Sequence, residues 1–297
     1  LSTSRVDAAP AVLTRPAAYL ALTKPDVTFL VVITTLAGYY MGAAGQIDLA
    51  RLAGTVFGTM LMGAGTAALN HYLERTPDGR MRRTSTRPLP IGSLHPGEAL
   101  AFGLALDVGG AIFLALVLNP LACVLGILTS AGYLGIYTPL KRYTRHATTL
   151  GSFPGAVPPL IGWAAARGSL SVDAWILFGI LFFWQFPHFL SIAWIYRKDY
   201  ERAGIRMISV GDPSGSATFG QIIWTAALLV PVSLLPAVTG LTGLRYFFEA
   251  LVLGMLLVQA CLWAARTKSN QRAKWLMHAT AAYLPLLLAL MMLNKAH

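Results

Sequence analysis

Charged side chains are scarce in this sequence, at 12% of 297 residues, where a soluble domain carries about 25%. So little charge cannot solvate a globule of this size, which excludes an ordinary soluble enzyme. Cysteine is nearly missing too. Cys123 and Cys261 both fall inside apolar runs, as small core hydrophobes do, and that placement argues against a disulfide framework or a thiolate metal site. Acids are few: 12 Asp and Glu stand against 23 Lys and Arg, a net charge of +11. The first 24 residues hold Pro10, Pro16 and three cations but no apolar core with a cleavage site, so no signal peptide is expected.

What the chain has in abundance is apolar length. It is 56% hydrophobic with a mean hydropathy of +0.60, and many uncharged runs approach the roughly 20 residues a helix needs to cross a bilayer. The runs lack the alternation of barrel strands. The prediction is therefore an all-α, polytopic bundle of nine transmembrane helices, at 26–42, 52–73, 98–118, 121–138, 148–166, 174–196, 218–239, 244–265 and 275–293. A segment at 1–24 precedes a single transmembrane domain at 25–297.

The connecting loops alternate between short, nearly uncharged links and long basic ones. All but four of the 23 Lys and Arg fall on one side, leaving Arg51, Arg167, Arg245 and Lys295 on the other. The positive-inside rule then puts the N-terminus and the long loops in the cytoplasm and the C-terminus outside, in a bacterial inner membrane. The mitochondrial inner membrane, with the loops in the matrix, is the alternative. Orientation and anionic lipid account for this basic charge, so no nucleic-acid partner is expected.

The end of the second span carries the densest chemistry, running from Asn70 through Glu74 and Asp78 to Arg80, Arg82, Arg83 and Arg87. On a helix, Asn70, Glu74 and Asp78 stack on one face a turn apart. Such hard oxygen donors suit Mg²⁺ shared with phosphate, and the arginines suit a bidentate grip on it. Pro77 lacks the N–H that would bond the Leu73 carbonyl, so Asp78 is expected on a bent or broken turn. Taken alone, the pattern serves equally as a helix end with snorkelling charges. The other long loops on the same face add Lys141, Arg142 and Arg145, then Lys198, Asp199 and Glu201. Acids interleaved with cations are more than orientation requires, and they fit a metal–diphosphate site.

Four histidines, His71, His146, His188 and His278, and one intramembrane acid, Asp107, complete the ionisable groups of interest. An interior hydrogen bond is the default role of each. His188 is the strongest functional candidate because Pro187 frees a backbone carbonyl beside it. Aromatic residues from Trp175 to Trp194 suit a hydrophobic channel, with packing as the plainer use.

The run Asn70…Glu74…Asp78…Met81-x-Arg83-Thr84…Arg87-Pro88 resembles the first metal–diphosphate motif of the intramembrane UbiA-type prenyltransferases. Within them the chain is most similar to the protohaem IX farnesyltransferase branch. Tyr137-Thr-Pro-Leu-Lys141-Arg142-x-Thr144, Gly155 to Trp163, Pro187-His188-Phe189 and Asp199-Tyr200…Ala203-Gly204…Met207 agree with that branch. The resemblance covers residues 20–293 and departs in places. Glu74 stands where the family usually has Asp, Ala147 where it often has Asn, and only Asp199 matches a second acidic motif.

The resemblance implies farnesyl diphosphate and haem b as substrates, membrane lipid as surroundings, haem O as product and Mg²⁺ as cofactor. Asn70, Glu74, Asp78 and Asp199 are then both the metal ligands and the catalytic set. Arg80, Arg83, Arg87, Lys141, Arg142 and Lys198 hold the diphosphate, and His188 is the candidate haem contact. Haem-handling or oxidase-assembly proteins are candidate partners. Two rivals stand against this reading. A sister enzyme acting on a quinone precursor or chlorin shares the diphosphate site; Pro187-His188-Phe189 and Ala203-Gly204…Met207 argue against it. A transporter of a lipid-like anion is expected to show inverted repeats and a midplane site, and the sequence shows neither.

Overall fold

The structure, a computed structural model, describes residues 13–296; Arg5 and the first half of the predicted 1–24 segment lie outside them. Its elements run α1 (Arg15–Leu22), α2 (Pro25–Gly42), α3 (Leu49–Arg80), α4 (Pro96–Phe113), α5 (Pro120–Ala131), α6 (Thr138–Leu140), α7 (Ala147–Gly155) and α8 (Pro158–Arg167). They continue with α9 (Val172–Ile195), α10 (Arg197–Arg202), α11 (Ser216–Val238), α12 (Leu244–Thr267) and α13 (Asn270–Leu293). No strand occurs among the described residues. Proline opens several of these helices (Pro25, Pro96, Pro120, Pro158), where its missing N–H would have had no partner. Asp48 and Ser269 accept backbone N–H bonds at the starts of α3 and α13, and Asn119 does so at the start of α5, ahead of Pro120.

The chain is an integral membrane protein. Seven helical stretches are long and apolar enough to cross a membrane, and α1 with α2, bent by 45°, makes an eighth. The predicted span 148–166 is the exception: it is two short helices, α7 and α8, meeting at Ala156–Val157. Pro154, Pro158 and Pro159 crowd that junction and remove the N–H groups a continuous helix would need. Pro77 has the opposite outcome. Helix α3 runs through it unbroken to Arg80, so the expected break before Asp78 does not occur.

Helices α4 and α5 each continue into a wide π-helical stretch, at Leu114–Leu118 and Gly132–Tyr137. The second matters for the site. Thr138 Oγ1 donates to the Tyr133 carbonyl at 2.8 Å and accepts from Asn70 Nδ2 at 3.2 Å. The widened turn is thereby fastened to α3.

Close packing relies on glycine, as usual between membrane helices. A Cβ on Gly162 would lie 2.0 Å from the Thr35 carbonyl oxygen, and one on Gly38 would lie 2.1 Å from that of Pro159. Helices α2 and α8 therefore touch backbone to backbone. Large side chains such as Phe29, Leu116, Leu128, Val252 and Leu286 are exposed, as a lipid-facing surface requires. On the face remote from α3's C-terminus, the four cations left over by the sequence count have structural duties. Arg51 Nε donates to the Ala165 carbonyl at 2.7 Å, Lys295 Nζ donates to those of Tyr40 and Ala43 at 2.6 Å each, and Arg167 caps Gly42. These carbonyls end α8 and α2, where the helix dipole favours a cation. Arg245 pairs with Glu249 at 2.7 Å.

Gly162→Ala is expected to destabilise the protein by about 1–3 kcal/mol through overpacking. The thermal unfolding midpoint in detergent reads this, and an unchanged midpoint would show that α2 and α8 can separate freely.

Candidate active site

The last three turns of α3 bury a polar column. Asn70, Glu74 and Asp78 are 1%, 5% and 1% exposed, and a buried carboxylate is tolerable only when paired. Each finds its partner on a different segment. Glu74 forms an ion pair with Lys141, just past α6. Asp78 accepts from Arg87 Nη1 at 2.7 Å, and its backbone carbonyl accepts from Thr84 Oγ1 at 2.9 Å. Asn70 Oδ1 accepts from Lys24 Nζ at 2.6 Å. Lys24 sits between α1 and α2 at φ 45°, a left-handed conformation uncommon outside glycine. Asp199, on α10, pairs with Arg202 and accepts the Arg83 backbone N–H at 3.3 Å.

Burial, helped by the neighbouring charges of Lys24 and Arg142, pulls the Lys141 ammonium down to about 7. The physical meaning is an excess of cations in a dry place. A polyanion entering the site would relieve it.

A cavity of about 270 Å³ opens beside this column. Lys24, Tyr133, Tyr137 and Tyr200 line one part of it, and Leu30, Val31, Met62, Ile161 and Leu181 line another. The polar end and the apolar remainder suit an amphiphile with an anionic head and a hydrocarbon tail. Trp184, Gln185 and Phe189 of α9 also face it, so part of the aromatic stretch does line a channel.

Lys24 is not among the residues that the sequence motifs single out for the site. Its signal was there: a cation immediately before a span-opening proline. Other candidates lie outside the site. Arg80, Lys198, Arg142 and Glu201 are exposed, as are His146 and His278. Among the described residues, Arg80 and Lys198 make no hydrogen bond or ion pair with the column. Arg83 contributes its backbone N–H, while its guanidinium lies 5.1 Å from the Tyr196 ring centre. His188 stacks on Trp184, with ring centres 5.0 Å apart, and its Nδ1 lies 2.9 Å from Thr280 Oγ1 of α13. It faces α13 rather than the cavity. His71 is buried, with neither ring nitrogen hydrogen-bonded.

Among the described residues no three His, Cys, Asp or Glu side chains converge as a ready metal cage. The donors nevertheless fit a hard cation. Asp78 Oδ1 is buried without a hydrogen-bond partner, and Glu74, Asn70 and Asp199 offer further oxygens held by cations that a diphosphate would draw away.

A helical membrane protein with acids and cations buried at the mouth of an apolar cavity has the architecture of an enzyme for amphiphilic diphosphates. A sequence model of the UbiA prenyltransferase family matches residues 31–290, and the chain belongs to that family. The chain is 46% identical to a protoheme IX farnesyltransferase of Solibacter usitatus, covering 93% of this chain and 98% of that one. A protein of the same name from Koribacter versatilis is 45% identical, covering 93% of each. Among solved structures, a digeranylgeranylglyceryl phosphate synthase superposes with a TM-score of 0.77 at 16% identity, over 94% of this chain and 98% of that one. A UbiA homolog from Archaeoglobus fulgidus bound to GPP and Mg²⁺ gives 0.62 at 13% identity, over 92% and 99%.

Arg87→Ala is expected to raise KM for the prenyl diphosphate about tenfold or more, the loss of a charge-assisted hydrogen bond. Lys24→Met should act in the same direction. Arg80→Ala and Lys198→Ala should leave KM near wild type; a large effect from either would show that the exposed cations turn inward when substrate binds.

Proposed function

We propose that this prenyltransferase moves a farnesyl group from farnesyl diphosphate to a vinyl group of protohaem IX, with addition of water, giving haem O. The observation that carries the acceptor is the full-length similarity to relatives named for that reaction. The diphosphate half is supported by the buried column and the cavity beside it.

Arg87 and Lys141 bind the diphosphate head in place of the carboxylates they now hold, joined by Lys24, which lets go of the Asn70 amide oxygen. Mg²⁺, held by Asn70, Glu74, Asp78 and Asp199, would supply Lewis-acid neutralisation of the leaving diphosphate. The buried cations stabilise the charge that develops on that group, more strongly here than in water. The apolar cavity takes the farnesyl tail and keeps water from the allylic cation until the vinyl carbon reaches it. Breakage of the C–O bond releases diphosphate, and the new C–C bond leaves a cation on the haem side chain that water captures. His188, tied to α13, acts as a haem contact only if its ring turns from Thr280; its geometry supports a packing role equally. The domain 25–297 works in a bacterial inner membrane with the site facing the cytoplasm, where the basic loops cluster. Haem-handling or oxidase-assembly proteins remain candidate partners.

Membranes containing the protein, supplied with haem b, farnesyl diphosphate and Mg²⁺, should yield a farnesyl-plus-water haem adduct by mass, lost with EDTA. A prenylated quinone precursor without any haem adduct would overturn the acceptor and keep the diphosphate site. Asp78→Asn should insert normally and lose at least about 10²-fold in turnover, since the metal-held charge is gone; wild-type turnover would remove Asp78 from the metal site.

A further inference from the structure

Three polar side chains from three helices meet in the otherwise apolar interior. Asp107 of α4 accepts from Ser130 Oγ at 2.6 Å and from Thr66 Oγ1 at 3.1 Å, both at Oδ1. The two hydroxyls stand 2.6 Å from one another. The contact is built closely: a Cβ on Gly65 would lie 2.4 Å from the Asp107 backbone nitrogen, so α4 sits directly on α3 there. An ionisable side chain at this depth is costly and generally has a use. Anchoring three helices would be one, but two of the three groups also line the cavity.

Thr66 and Ser130 both face it, amid Val31, Met62 and Ala67. Thr66 lies one turn from Asn70 along α3, about 6 Å deeper at 1.5 Å per residue. That places the hydroxyl pair just past the diphosphate head, where the reacting carbons must lie. Thr59, on the same face of α3 and only 2% exposed, lines the cavity with a hydroxyl that has no hydrogen-bond partner. Buried hydroxyls left unpaired against a cavity are characteristic of a wall that holds water.

We propose that Asp107 is a positioning residue that, through Ser130 and Thr66, holds the water that adds to the haem side chain; this rests on the haem-farnesylation reading. Each hydroxyl has one hydrogen, and both are used within the cluster. Toward the cavity the pair therefore presents only lone pairs. A water bound there gives its hydrogens to Ser130 and Thr66 and turns its oxygen lone pair outward, the orientation needed to attack an electron-deficient carbon. When the cation forms, the water oxygen bonds to it, and one water O–H bond breaks toward Ser130 Oγ. The hydrogen of Ser130 passes to Asp107 Oδ1. The product is a neutral alcohol, and Asp107 carries the proton that water lost. Without this acceptor, the cation discharges by losing its own proton, and the adduct is lighter by one water.

Asp107→Asn retains a carbonyl oxygen for the two hydroxyls but cannot take the proton. The test measures, by mass, the ratio of hydrated to dehydrated farnesyl-haem, together with diphosphate release. Reaction in ¹⁸O-labelled water identifies the source of the hydroxyl oxygen. The ratio should fall at least about tenfold, within the range of general-base contributions, while diphosphate release continues. Ser130→Ala and Thr66→Val, which leave the acid in place, should lower the ratio in the same direction. A purely structural cluster would lower the amount of folded enzyme and leave the ratio unchanged, and an unchanged ratio in all three variants overturns the proposal. So does a wild-type product that is dehydrated from the outset. No haem adduct at all from the wild type would overturn the haem reading instead.

Discussion

The arrangement depends on burying three oxygen-bearing side chains in the last turns of α3. Asn70, Glu74 and Asp78 are nearly inaccessible, and leaving an ionised carboxylate alone at such a place costs several kcal/mol. The cost is met by recruiting Arg87 from the loop after α3 and Lys141 from after α6, while Lys24 from before α2 bonds the Asn70 amide. Local structure follows from that requirement. Lys24 takes a left-handed backbone conformation, and the widened turn before α6 is pinned by Thr138 between Asn70 and Tyr133.

The same pairing prepares the site for an anion. Glu74 and Asp78 are each neutralised by one cation, and Lys24, held by the neutral Asn70 amide, is left over. An incoming diphosphate with its metal can exchange partners with them, cations to phosphate and acids to metal. No new charge then has to be brought in from water. Because the cavity continues away from this end between α2, α3, α5 and α9, the tail of the same molecule enters a region where water has few partners. Polar head and apolar channel thus meet at one boundary, and the Asp107 cluster lies just beyond it.

Charge is put to different uses on the two faces. At the site it balances buried acids. On the opposite face Arg51, Arg167 and Lys295 close the carbonyl ends of α2 and α8, which reach that surface backbone to backbone and have little room for other caps. The asymmetry that orients the chain and the contacts that seal its far side therefore involve separate residues.

The sequence by itself determined the class of fold, because hydrophobic length and loop charge are local properties. Eight of the nine predicted spans correspond to helices or bent pairs, and the α3 column could be read from a four-residue spacing. Segment 148–166 reads as a single helix in the sequence because hydropathy does not register the lost N–H groups of clustered prolines. Tertiary structure alone decided which cations meet the buried acids. Arg80 and Arg87 look alike along the chain, yet one is exposed and the other is paired with Asp78, since helix phase and loop path set direction. Only packing joined Lys24 to Asn70, and only packing brought Asp107 to Thr66 and Ser130. Contacts across 41 and 23 residues of chain leave no periodic trace, because they arise where separate helices meet.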